Sequence, residues 1–168
     1  MSKHLSRSLE ETQKIAENFV KNLLLSLGAG GEATTSPSES ENSKARATVV
    51  GLYGELGAGK TTFTQVVSLA LGVSEKVLSP TFVIMKIYNI VKVGDISPTF
   101  NHLIHIDAYR MDSSDELLHL GWKEIISNPK NLILIEWPEK VADIMPEHIK
   151  VNLAHISKDS REIEIVEE

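Results

Sequence analysis

Gly54-Glu55-Leu56-Gly57-Ala58-Gly59-Lys60-Thr61 is the stretch that decides the reading of this chain. It matches G-x-x-x-x-G-K-S/T, the pattern of a phosphate-binding loop. Glycines let the backbone curl until successive N–H groups point at one phosphate, and a following helix adds its positive N-terminal end. On this pattern the loop from Gly54 to Thr62 cradles ATP, Lys60 neutralises the β- and γ-phosphates, and the Thr61 hydroxyl ligates Mg2+. A glycine-rich turn that happened to end in Lys-Thr would carry the same letters, so the flanks matter. Thr48-Val49-Val50-Gly51-Leu52-Tyr53 is a β-rich apolar run, and residues 61–71 keep helix-compatible spacing up to Gly72. Strand, loop, helix is the order that the chemistry needs. The rival dinucleotide pattern G-x-G-x-x-G does not fit the spacing of Gly54, Gly57 and Gly59.

A P-loop hydrolase also needs a carboxylate at the end of a neighbouring apolar strand, to hold the metal and position water. Leu103-Ile104-His105-Ile106-Asp107 and Asn131-Leu132-Ile133-Leu134-Ile135-Glu136 each end on an acid. One such acid is ordinarily a polar strand terminus. Two of them beside a P-loop make Asp107 and Glu136 catalytic candidates together with Lys60. The second run is almost continuously apolar, as in a central strand covered on both faces. His102 and His105 lack further histidines nearby and any thiolate, which favours structural roles over a metal cluster. Tyr109 and Trp137 read as locally packed aromatics.

Outward from this centre, Ser8-Leu9-Glu10-Glu11 fits a capping box, and a helix is expected from Leu9 with Ile15, Phe19, Leu23 and Leu27 on its apolar stripe. Residues 28–47 contain no large apolar side chain and read as a flexible loop insertion in a single domain spanning 1–168. Residues 82–88 and 103–107 predict two strands of a hairpin turning near Gly94-Asp95. Residues 115–126 predict one helix, and the alternating runs 149–153 and 162–166 predict half-exposed strands at the sheet edge. The expected fold is α/β and P-loop NTPase-like, a mostly parallel sheet flanked by helices with antiparallel edge strands.

Seventeen Lys and Arg against twenty-three Asp and Glu give a net charge of −6, which argues against broad phosphate-backbone binding and so against tight direct tRNA binding. No cysteine is available for a disulfide or a thiolate metal site. Residues 1–17 lack an apolar signal core and no run is long enough to span a membrane, so a cytoplasmic protein is expected. No Asn-Lys-x-Asp segment reads guanine, which favours adenine. A small-molecule kinase would want paired lid arginines, and Arg7, Arg46, Arg110 and Arg161 are dispersed. A nucleotide-dependent binding module with negligible hydrolysis of its own is a further reading.

Four segments in order resemble the bacterial tRNA threonylcarbamoyladenosine biosynthesis ATPase family TsaE, also called YjeE. They are Leu52-Tyr53-Gly54-Glu55-Leu56-Gly57-Ala58-Gly59-Lys60-Thr61-Thr62-Phe63, Ser79-Pro80-Thr81-Phe82, His105-Ile106-Asp107-Ala108-Tyr109-Arg110 and Ile135-Glu136-Trp137-Pro138-Glu139. The resemblance implies an ATPase working with TsaB and TsaD, which install threonylcarbamoyl on the adenosine next to the anticodon of tRNAs reading ANN codons. It implies Thr61 and Glu136 as Mg2+ ligands and Asp107 as a residue for hydrolysis or for the metal's water shell. It also implies a switch-type loop containing Thr81 near the γ-phosphate, with Glu139 and Arg161 near the nucleotide. The 28–47 segment is longer than the helix-to-strand connection usual in the family.

Overall fold

The apolar runs around the P-loop form neighbouring parallel strands. The computed structural model describes residues 1–27, 46–91 and 99–166. Its elements are β1 (Ser2–Ser6), α1 (Leu9–Ser26), β2 (Thr48–Tyr53), α2 (Lys60–Ala70), β3 (Met85–Asn89), β4 (His102–Asp107), α3 (Asp115–His119), α4 (Trp122–Ile126), β5 (Asn131–Glu136), β6 (Ile149–His155) and β7 (Arg161–Val166), with a 3-10 turn at Pro138–Val141. Seven strands make one sheet in the order β1-β7-β6-β2-β5-β4-β3. The pairs β6/β2, β2/β5 and β5/β4 are parallel, and β1/β7, β7/β6 and β3/β4 are antiparallel.

Alternation along the strands divides the core between the two faces of the sheet. Val50, Leu52, Leu103, Leu132 and Leu134 pack with Phe19 of α1 and Phe63 of α2. Val49, Ile104, Ile106, Ile133 and Ile135 pack with Leu117, Trp122 and Val141 on the opposite face. Every residue of β5 is buried, as its apolar run predicted for a central strand. Phe63 has no exposed surface, and its ring lies 5.7 Å from that of Phe19, fastening α1 to α2.

The α1 cap follows its sequence with one shift. Ser8 Oγ accepts from Glu11 N at 3.1 Å, but the Glu11 carboxylate accepts from Arg7 N, one residue before the position a capping box uses. The predicted helix 115–126 is two short helices. Gly121 adopts the left-handed conformation at φ 86, where glycine carries no Cβ penalty, and Trp122 then turns into the core. The strand predicted from residue 82 begins only at Met85. Val83 N donates to Pro80 O and Ile84 has φ 64, so the preceding segment is a turn that leaves Phe82 86% exposed.

The tail strands are not the sheet edge. β6 lies against β2, and β1, which the sequence pattern does not announce, covers β7. Of the expected 28–47 loop, residues 28–45 lie outside the described residues, as does the Gly94-Asp95 turn. Ala47 is described, and it belongs to the core: it is buried and its N–H donates to Ile126 O at 2.8 Å. Among the described residues no helix is long and apolar enough to cross a membrane.

Truncating Phe63 to Ala opens a cavity between the two helices that the sheet cannot close, so this variant is expected to lose about 3–5 kcal/mol of stability. Urea denaturation of the two proteins measures the difference.

Candidate functional site

The parallel strands deliver their C-terminal ends to one edge of the sheet, the edge where open α/β folds bind ligands. The Gly54–Thr61 loop leaves β2 there, Glu136 ends the adjacent β5, and Asp107 ends β4 one strand further out. Asp107 and Glu136 sit opposite each other in the β4/β5 register.

The loop needs its glycines for two separate reasons. Gly54 has φ 139, and a Cβ there would stand 2.1 Å from the Leu153 carbonyl oxygen. Gly57 and Gly59 have φ 80 and φ 103 with open space where a Cβ would be, so their requirement is conformational. Gly59 is the N-cap of α2 and supplies no side-chain cap, leaving the first N–H groups of the helix for an anion. Glu55 and Leu56 form the exposed outer wall of the loop, and Ala58 is buried beneath it.

Lys60 is only 4% exposed. Its Nζ donates to Gly54 O at 2.6 Å and Glu55 O at 2.9 Å, and it sits 3.8 Å from the centre of the Trp137 ring. Burial pushes the ammonium below the ordinary lysine value of 10.5, and the carboxylates of Glu136, Glu139, Asp107 and Glu55 partly offset that. Trp137 packs in turn on Tyr109, ring centres 5.0 Å apart.

Thr61 Oγ1 donates to Glu136 at 2.8 Å from Oε1 and 3.2 Å from Oε2. A hydroxyl and a carboxylate are hard oxygen donors, and Mg2+ takes one or two such protein groups together with phosphate and water, so this pair fits that ion. Asp107 faces a different neighbour. Its Oδ2 accepts from the hydroxyls of Ser79, at 3.0 Å, and Thr81, while Oδ1 accepts from Tyr109 N at 3.1 Å. These bonds tie the 79–82 segment to the strand end.

Two clefts flank the loop, and Gly57, Gly59 and Thr62 line both. One, about 500 Å³, is lined by Lys60, Thr61, Thr81, Asp107, Glu136 and Trp137. The other, about 280 Å³, lies towards Ser8, Leu9, Thr12, Lys158 and Arg161. Arg161 and Asp107 therefore stand on opposite sides of the P-loop. The Arg161 guanidinium donates to the carbonyls of Ser157, Lys158 and Ser160. Glu139 is exposed and lines neither cleft; its field reaches Lys60.

Sequence reasoning missed His105 as a member of this site. The ring is fully buried, and Nε2 lies 2.9 Å from Glu136 Oε1. The available signal was strand alternation, which puts His105 on the same sheet face as Asp107. Ser79 was legible only as part of its segment.

A family model described as "Threonylcarbamoyl adenosine biosynthesis protein TsaE" matches residues 6–163. The chain belongs to the TsaE family. A tRNA threonylcarbamoyladenosine biosynthesis protein TsaE of Rickettsia typhi is 32% identical over 160 residues, covering 94% of this chain and 90% of the relative. The TsaE protein of Bacillus subtilis is 38% identical over 116 residues, covering 68% of this chain and 66% of its own. A crystal structure of Bacillus subtilis YdiB superposes with a TM-score of 0.63 at 26% identity, over 96% of this chain and 82% of that one. TsaE membership carries a role in tRNA threonylcarbamoyladenosine biosynthesis, and the P-loop NTPase-like fold agrees with nucleotide and metal use.

A phosphate that takes over Nζ stabilises the ammonium, so ADP affinity is expected to fall as pH rises through the lowered Lys60 value towards 10.5. The same shift has the opposite sign for stability. The unfolded lysine holds its proton longer than the folded one, so the Lys60 contribution to stability improves with pH across that interval. Calorimetric ADP titrations along an alkaline pH series check the first expectation, and a flat affinity profile would contradict it.

Proposed function

We propose that this chain is a Mg2+-dependent ATPase whose cycle supports a cytoplasmic TsaB–TsaD complex in threonylcarbamoylating the adenosine next to the anticodon of tRNAs that read ANN codons. The observation that carries this reading is the Thr61–Glu136 contact at 2.8 Å, an oxygen pair at the mouth of a complete P-loop. When bound, Mg2+ supplies charge neutralisation to the β- and γ-phosphates, and Thr61 and Glu136 are the residues that would hold it.

The rest of the mechanism belongs to the chain itself. The N–H groups of the loop and of the first turn of α2 bind phosphate oxygens, and Lys60 exchanges its two carbonyl partners for the β- and γ-phosphates. The triphosphate follows the loop between its two clefts, with the adenosine on the Arg161 side and the γ-phosphate on the Asp107 side. Asp107 orients the attacking water. The water oxygen bonds to the γ-phosphorus as the bond to the bridging oxygen breaks, and ADP and phosphate leave.

Coupling to a partner runs through Asp107. A carboxylate that turns to the water gives up the Ser79 and Thr81 hydroxyls, so the 79–82 segment has two states selected by the γ-phosphate. Its exposed end, Phe82, together with the following Val83, is the part a partner would read. The net charge of −6 disfavours tRNA as that partner.

Lys60→Ala is expected to abolish most ATP binding in calorimetry. Asp107→Ala and Glu136→Ala are expected to fold and to lower hydrolysis in the presence of TsaB–TsaD by at least about tenfold. Normal turnover in both variants would make the two acids structural.

The partner reading is tested by titrating the purified chain against TsaB–TsaD with ATP and without nucleotide, beside a tRNA titration. A complex that forms only with ATP, and weak tRNA binding, are the expected results. Tight binding to tRNA alone, or no complex in either condition, would overturn this function and leave the P-loop standing.

A further inference from the structure

We propose that His105 is a positioning residue for Glu136, setting which carboxylate oxygen is presented to the divalent cation at the P-loop. This rests on the reading of Glu136 as a metal-holding residue. His105 and Glu136 project from the adjacent strands β4 and β5 onto the same face of the sheet, with His105 level with Leu134 in the register. The imidazole thus reaches the carboxylate diagonally, with Nε2 2.9 Å from Oε1. Both groups are buried, at 0% and 3% exposure, so water does not replace this contact cheaply.

The ring has only one way to satisfy a proton. Nδ1 is the one buried side-chain nitrogen or oxygen without a hydrogen-bond partner among the described residues. A proton on Nδ1 would be buried and unpaired, whereas a proton on Nε2 meets a carboxylate oxygen, which fixes the tautomer. Glu136 Oε1 then accepts from two donors, His105 Nε2 and Thr61 Oγ1, while Oε2 holds only the longer 3.2 Å contact to Thr61. The Thr61 oxygen can turn a lone pair to a cation while its O–H stays on Glu136, because a hydroxyl has two lone pairs beside its proton. Oε1 is thus held from both sides, by Thr61 from the loop and by His105 from β4, and the His105 contact fixes how the carboxylate faces the loop. Hydrogen bonds of this kind to a ligating group change metal affinity by about 10–100-fold.

Titrating Mg2+ into the full-length protein with ADP, and measuring ADP affinity in EDTA, separates positioning from general structure. For His105→Leu we expect the Mg2+ concentration giving half of the metal-dependent gain in ADP affinity to rise about 10–100-fold, with the EDTA value unchanged. His105→Gln, whose amide nitrogen can take the place of Nε2, restores most of the loss. A wild-type protein whose ADP affinity ignores Mg2+ would overturn the metal reading and this proposal together. A normal wild-type response that His105→Leu shares, or a loss equal with and without Mg2+, overturns the positioning role alone. Long-range nitrogen–proton spectroscopy of the wild-type histidines supplies a test that needs no variant: a proton on Nε2 of His105 is expected, and a bare Nε2 overturns the proposal.

Discussion

The parallel pairing of β2, β5 and β4 is the constraint on which the site depends. It aligns three strand ends, so a glycine loop, Glu136 and Asp107 arrive at one edge without any loop having to aim them. The order of those strands also separates the two acids. Glu136 ends the strand beside the P-loop and meets Thr61, whereas Asp107 is one strand further out and meets the 79–82 segment. A hydrogen-bonded sheet holds these positions far more rigidly than the connections around it, which suits a site whose tolerances are fractions of an ångström.

The fields of four carboxylates reach the buried Lys60 ammonium. Desolvation opposes the charge of Lys60, and Glu136, Glu139, Asp107 and Glu55 support it. The lysine meanwhile spends its donors on the loop's own carbonyls and its flank on Trp137. These contacts hold the side chain against the loop and shield it, so little conformational freedom would remain to be lost if an anion bound there. Leu153 takes part from a distance, since its carbonyl oxygen forbids a side chain at Gly54 and so ties the geometry of the loop to β6.

Much of this could be read from residues alone because phosphate chemistry dictates residue types at fixed spacing. The loop, its flanking strand and helix, and the two acids needed only local pattern. The failures share a different cause. Phe82 and Val83 are apolar and β-prone, but distant hydroxyl-to-Asp107 bonds bend their segment into a turn and leave them exposed. β1 has no apolar alternation and exists because β7 offers it an edge, with Lys3 and Glu162 paired at 2.9 Å. The helix break did carry a signal in Gly121, a residue that helical periodicity alone passes over. His105 was visible through alternation, yet its partner lies on another strand thirty-one positions away, beyond the reach of any window.

That strand β1 pairs with β7 joins the extremes of the chain, Ser2 opposite Ile165 and Ser6 opposite Arg161. The smaller cleft beside the P-loop is walled by those same regions, through Ser8, Leu9 and Arg161. Long-range pairing of this kind closes late, after the local contacts have formed. The loop itself depends on β5 and β6, which flank β2 and set Leu153 against Gly54, whereas the second cleft gains its outer wall only when β1 and β7 pair as well. The shape of that cleft therefore hangs on one meeting of two segments distant in sequence, and a fault in that pairing would open it while the central parallel strands stay in register.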